Sequence, residues 1–254
     1  MSLVWQCRGH RLVIDRRPLV MGIVNVTPDS FSDGGRFFDP AAAIDHGLKL
    51  IDDGADLLDI GGESTRPGAA PVAAADELAR VVPVVAGLAK RAGVPLSVDT
   101  MKAEVARRAL DAGAAVVNDV SGLTADPDMT AVCAAAGAGV VAMHMLGTPQ
   151  TMQANPAYGD VVGEVAAYLE ARLHALAAAG ISPDVVCLDP GIGFGKTLDH
   201  NLALLGDLAA VARIGRPVCL GVSRKGFIGK LCGRPVGERD AGSLAVACFA
   251  AALG

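Results

Sequence analysis

Aromatic side chains are scarce in this sequence, with one Trp, two Tyr and six Phe making up 4% of 254 residues. A core built on ring stacking is therefore excluded. With 52% hydrophobic residues, burial must come from Ala, Val, Leu and Ile, the material of buried parallel strands and the helices that cover them. Positive charge is also short: Lys and Arg number 22 against 27 Asp and Glu, for a net charge of −5. That leaves no basic field for nucleic acid, although a few local cations would still suit a small anionic substrate. Long apolar runs are missing despite a mean hydropathy of +0.42. The most apolar stretch, residues 131–143, contains two glycines and is shorter than the roughly 20 residues a membrane-spanning helix needs. Gln6, Arg8, His10 and Arg11 interrupt the place where a signal peptide would keep its apolar centre. A soluble, cytoplasmic protein is expected. The six cysteines form no C-x-x-C pair and several lie inside apolar runs, so they read as reduced, buried small hydrophobes and not as a disulfide or zinc framework.

What is present is an alternation. A hairpin is expected over residues 3–14, turning near Arg8-Gly9-His10. Strand-like runs follow at 19–24, 56–60, 95–98, 115–118, 140–143, 185–188 and 217–222. Between them, apolar residues at three- and four-residue spacing predict helices over about 40–53, 72–92, 102–112, 127–136, 160–179, 199–211 and 238–253. Gly54, Gly93, Gly113, Gly137 and Gly180 each end a helical run before a strand, as helix C-terminal glycines do. No linker, charge block or low-complexity break divides residues 1–254, which read as one domain.

Polar residues end every strand: Asn25, then Gly61 to Arg66, Asp99-Thr100, Asn118-Asp119, His144, Asp189-Pro190 and Ser223-Arg224-Lys225. In an open sheet they would gather at one switch point; in a barrel of parallel strands all seven ends converge on one mouth. A TIM-type (β/α)8 barrel is therefore the expected fold. Only seven strands are counted, and the eighth strand and helix are expected to be missing because this chain is a C-terminally shortened version. The first of these strand ends, MGIVNVTPDSFSDGG at residues 21–35, offers amide, hydroxyl and carboxylate oxygens of the kind that hold Mg²⁺ and its phosphate partners. A long turn stabilised by Asx and Ser hydrogen bonds would use the same residues.

The runs MGIVNVTPDSFSDGG, DIGGESTRPGA, SVDT, NDVSG, DPGIGFGKT and GVSRKGFIG, in this order from about residue 18 onward, resemble the dihydropteroate synthase family. The resemblance implies an eight-stranded α/β barrel, usually dimeric, that joins 6-hydroxymethyl-7,8-dihydropterin diphosphate to p-aminobenzoate and releases pyrophosphate in folate biosynthesis. It implies Asn25 as the protein ligand of a Mg²⁺ cofactor. The pterin would be held by Asp99, Asn118, Asp189 and Lys225, between apolar walls of Met143, Phe194 and Gly221. The p-aminobenzoate and diphosphate side would be formed by Phe31, Ser32 and Asp33 of the first loop, Thr65, Arg66 and Pro67 of the second, and Ser223 beside them. Asn25, Asp99, Asp189, Lys225 and Arg66 are the residues expected to carry the chemistry. The family's Arg-x-His pair, which grips the diphosphate at the end of the eighth strand, is absent from these residues. The segment after Arg66 shows none of the extra residues of some sulfonamide-resistant relatives, so an ordinary, drug-sensitive pocket is expected.

Two alternatives use the same barrel. A pterin-binding methyltransferase module would share the aspartates and the asparagine but has no use for the TPDSFSDGG and SRKG segments. A non-catalytic paralogue would show degraded loops, and only the missing end departs here. Of the remaining residues, Gly191 to Thr197 lacks the spacing of a phosphate-binding P-loop and reads as a barrel loop, with Lys196 on the surface. His144 reads as a core or supporting group, and His10, His46, His174 and His200 are assigned no role.

Overall fold

The computed structural model describes residues 3–15, 17–27 and 39–253. Strands β1 (Leu3–Cys7) and β2 (His10–Ile14) pair antiparallel with Trp5 opposite Leu12. Arg8 and Gly9 both have positive φ at the turn between them, where the expected hairpin reverses.

Six parallel strands follow: β3 (Met21–Asn25), β4 (Leu57–Gly61), β5 (Leu96–Asp99), β6 (Val116–Asp119), β7 (Gly139–Met143) and β8 (Val186–Asp189), paired with one another in chain order. Between them run α1 (Pro40–Asp52), α2 (Ala74–Ala89), α3 (Ala103–Asp111), α4 (Met129–Ala136) and α5 (Val161–Ala178). Such neighbour-to-neighbour order, with a helix after each strand, is the wall of an α/β barrel. Side chains alternate across that wall. Outward residues such as Val24, Leu58, Ile60, Val98, Val117, Val140 and Leu188 pack against helix residues including Val85, Leu88, Ala106 and Leu169 in the main core. Inward residues Leu57, Val116, Val141 and Cys187 form a second cluster with Trp5 and Cys7. The hairpin thus seals one end of the barrel, and Trp5 Nε1 secures it by donating to Val185 O at 2.8 Å. Higher up the same inward face the residues become polar: Asp59 and Ser97, then Gly61, Asp99 and Asn118 in register, and Met143 opposite Asp189.

The structure differs from the sequence reading in the last third. The seventh strand-like run makes only an isolated bridge, Leu188 to Val218, held by Leu188 N to Pro217 O and Cys219 N to Leu188 O, both 2.8 Å. Pro217 has no N–H to give, and among the described residues no strand flanks this run on its other side, so a ladder does not extend. The helix expected over 199–211 is two, α6 (Leu198–Gly206) and α7 (Leu208–Ala212), because Asp207 leaves helical geometry at φ −132° and ψ 53°. A further short helix, α8 (Gly226–Cys232), buries Phe227 and Ile228 and ends at Gly233 with φ 64°. Its glycine-rich sequence hid it. The last helix, α9 (Asp240–Ala252), has no buried residue. Cys7, Cys133 and Cys187 are buried as expected, but Cys219 is half-buried and Cys232 and Cys248 are exposed on these last helices. No helix among the described residues is long and apolar enough to cross a membrane.

Candidate active site

The polar ends of the inward-facing rows meet at the mouth opposite the hairpin. Asp99 closes β5, and no hydrogen bond reaches its carboxylate among the described residues. Burial raises its pKa well above the usual carboxylate range, and the neighbouring Asp59, Asp119, Glu77 and Glu63 raise it further. One row along, Asn118 donates from Nδ2 to Asp59 Oδ2 at 2.9 Å. Asp59 lies deeper, is 4% exposed, and has its pKa raised by burial against the bonds it accepts. Asp189 ends β8 and accepts from Gly191 N at 2.7 Å through Oδ1. Burial raises this carboxyl, opposed by Lys225, the Gly191 amide and Lys196.

Lys225 precedes α8. Its Nζ lies 4.6 Å from the centroid of the Phe194 ring and donates to Ile192 O. Burial lowers its pKa while Asp189 pulls the other way. The absence of side chains at Gly193 and Gly221 leaves room for it: a Cβ on Gly221 would stand 3.4 Å from Lys225 Nζ. Asp99, Asn118, Met143, Asp189, Phe194, Gly221 and Lys225 are therefore brought to one mouth.

The loop after β8 is held by close approach. Gly191 has φ +68°, and a Cβ there would sit 1.9 Å from His144 O, so only glycine fits. Lys196 is not on the surface as its sequence context implied; it is 3% exposed. Its Nζ lies 3.0 Å from His144 Nδ1 and donates to Phe194 O at 3.0 Å, which ties down the loop that carries the Phe194 ring. Burial lowers its pKa to about 7. Burial first, and Lys196 second, lowers that of His144 to about 4. His144 is thus the supporting group expected. His200, assigned no role, caps α6 reciprocally with Thr197.

The remaining expected residues lie at the rim. Asn25 is exposed at the end of β3, Thr65 is half-buried, and Arg66, Pro67 and Ser223 are exposed. Phe31, Ser32 and Asp33 fall outside the described residues. The sequence reading missed the ions beneath the rim: Asp59, and the cluster in which Lys102 Nζ meets both Glu63 and Glu77. A signal existed for Asp59, a lone charge inside LLDIG on the face shared with Leu57 and Gly61. None existed for Lys102, whose partners are 39 and 25 residues away.

Residues 21–254 match the family described as pterin binding enzyme. The dihydropteroate synthase of Synechocystis sp. is 46% identical over 240 residues, spanning 94% of this chain and 83% of that protein. The structure of the Xanthomonas albilineans dihydropteroate synthase with 4-aminobenzoic acid superposes with a TM-score of 0.93 at 48% identity, covering 100% of this chain and 90% of that one. That of the Yersinia pestis enzyme with a sulfonamide drug gives 0.91 at 45% identity, covering 99% and 90%. The chain belongs to the pterin binding enzyme family, among its dihydropteroate synthases.

Proposed function

We propose that this mouth joins 6-hydroxymethyl-7,8-dihydropterin diphosphate to p-aminobenzoate, giving 7,8-dihydropteroate and pyrophosphate. The observation that carries the reading is the meeting of Asp99, Asn118, Asp189 and Lys225 at one end of the barrel. A pterin presents neighbouring N–H donors along its amino-pyrimidinone edge. Asp99 has both carboxylate oxygens free of hydrogen bonds among the described residues. Asn118 keeps its carbonyl oxygen after Nδ2 is taken by Asp59, and Asp189 keeps Oδ2 after Oδ1 is taken by Gly191. These acceptors are directional and partly charged, which strengthens each bond. Lys225 supplies the donor for the ring carbonyl and nitrogen edge, and Phe194 and Met143 the apolar faces.

In the reaction the aniline nitrogen forms a bond to the pterin methylene carbon as the carbon–oxygen bond to the diphosphate breaks. Pyrophosphate leaves with that electron pair, and the nitrogen gives up a proton to solvent. Arg66 and Ser223, exposed at the rim, would serve the anionic side of this exchange, with Thr65 and Pro67 for the aminobenzoate. When bound, Mg²⁺ supplies charge against the departing pyrophosphate oxygens. Asn25 offers an exposed amide oxygen at the end of β3, the class of donor that Mg²⁺ takes. The protein would hold it through Asn25, the diphosphate providing the other oxygens.

The test is pyrophosphate release by the purified chain. Release should require both substrates and Mg²⁺ and fall about 100-fold in Asn25→Ala, the scale of losing one preorganised electrostatic contact. Release without p-aminobenzoate, or undiminished in the variant, refutes the reading. A sulfonamide should raise the KM for p-aminobenzoate without changing the maximal rate. We also read the chain as a cytoplasmic homodimer, supported by α9, which leaves Leu244 and Phe249 65% and 50% exposed. Sedimentation showing a monomer at micromolar concentration would refute the dimer.

A further inference from the structure

The loop between β4 and α2 is closed at its base by charges that the pterin chemistry does not use. Glu63, two residues past β4, accepts from Val72 N at 2.9 Å through Oε1, so one carboxylate bridges both ends of the loop. Its other oxygen meets Lys102 Nζ. Lys102 also holds Glu77 Oε2 at 2.6 Å, and Glu77, in the first turn of α2, is fully buried with Oε1 unpartnered. Burial opposes the Lys102 charge, but the bonds from the two glutamates hold its pKa above the usual value. Arg80 adds a bond to Gly62 O at 2.8 Å. Beyond this base the loop is hydrogen-bonded to the segment after β7, through Gly68 N to Pro149 O and Gln150 Nε2 to Ala69 O, both 3.2 Å.

We propose that Lys102 is a positioning residue for the aminobenzoate half of the site: by neutralising Glu63 and Glu77 together it locks the base of the 62–73 loop and so sets where Thr65, Arg66 and Pro67 stand. This rests on the proposed function above. The physical ground is that two buried carboxylates without their ammonium repel each other and are costly to keep dry. Glu63 would turn outward and release the Val72 amide. The proposed pterin contacts on β5, β6 and β8 make no hydrogen bond to this loop among the described residues, and Asp99 feels Glu63 and Glu77 only through their charge, so these contacts should stay in place. Misplacement of a substrate-holding group by about 1 Å costs up to about 100-fold, so the effect should be large and confined to one substrate.

The experiment varies both substrates with Lys102→Met, Lys102→Arg and Glu63→Gln in the full chain. Lys102→Met should raise the KM for p-aminobenzoate about ten-fold or more and leave that for the pterin diphosphate within about two-fold. Lys102→Arg, which keeps the charge, should recover most of the loss. If Lys102→Met does not fold, Glu63→Gln still tests the idea, because it removes the charge by which Lys102 holds this side chain against Val72; it should raise the aminobenzoate KM alone. A folded Lys102→Met or Glu63→Gln with unchanged aminobenzoate KM, or with equal rises for both substrates, overturns the proposal. Hydrogen exchange over residues 62–73 gives a readout that needs no turnover: exchange should speed up in Lys102→Met and not in Lys102→Arg, and unaltered exchange overturns it. A wild-type chain that shows this loop response but makes no dihydropteroate refutes the proposed function and leaves the loop lock standing.

Discussion

Asn118 gives its Nδ2 to Asp59 Oδ2 across 2.9 Å, so a buried carboxylate beneath the mouth decides which way this amide points. Asp59→Leu removes the acceptor and should weaken pterin binding about ten-fold, the scale of one hydrogen bond to a charged group. Asp59→Asn keeps an acceptor and removes a buried charge, so binding should stay within a few-fold while the melting temperature rises. Titration calorimetry with a pterin and a thermal melt decide it. Wild-type affinity in Asp59→Leu would sink the orienting role.

Asp99 stands at the mouth with no hydrogen bond to its carboxylate among the described residues, its ionisation opposed by burial and then by Asp59, Asp119, Glu77 and Glu63. A ligand's N–H donors would relieve that opposition. Asp99→Ala should therefore cost about 2–3 kcal/mol of pterin affinity with an unchanged far-UV spectrum. The raised pKa also places the acid limb of pterin binding above the usual carboxylate range, since protonation as the pH falls removes an acceptor. An acid limb near pH 4 in wild type would contradict this.

Asp119 provides the pH test of stability. It accepts from Ser121 N and Oγ, both at 2.7 Å, its Oδ2 is unpartnered, and burial raises its pKa from 3.8 to about 6. A carboxyl with a raised folded-state pKa contributes stability that is fully present below 3.8 and is lost as pH rises through about 6. The shift corresponds to about 3 kcal/mol. In Asp119→Asn this part of the pH dependence should vanish, so that the variant gains on wild type between pH 4 and 7 in urea melts. Parallel curves would count against it.

Gly191→Ala should be among the most damaging small substitutions available here. The new methyl would be driven to 1.9 Å from His144 O at a residue with φ +68°, and relief requires moving either the end of β7 or the loop that carries Phe194. A loss on the order of 3–5 kcal/mol is expected, seen as poor soluble yield or a lowered urea midpoint. Gly237→Ala, which meets nothing within 4 Å, is the control and should be near neutral.

The strands, most helices and the polar residues that end the strands were legible in the chain because their signals are local. Apolar runs such as VVND and GVVAM reach the strand period within a few residues, and Asn25, Asp99, Asn118 and Asp189 stand where those runs stop. The seventh run looked equally good, but a strand exists only through its neighbours, and Val218 has a single bridged partner. α8 was hidden for the opposite reason, since Gly226 and Gly229 weaken a helical pattern that packing of Phe227 and Ile228 makes good.

By itself, then, the sequence determined the alternation, the inward and outward faces of each strand, and which polar groups end them, since these follow from side-chain period and backbone propensity. Only the tertiary structure decided that Lys196 is buried against His144, that Asp59 orients Asn118, and that Lys102 binds Glu63 and Glu77. Each of these joins residues at least 25 positions apart. The charge of a lysine reads the same in any sequence window, whereas its burial and its partners depend on which segments the barrel wall brings within about 3 Å, the reach of a hydrogen bond.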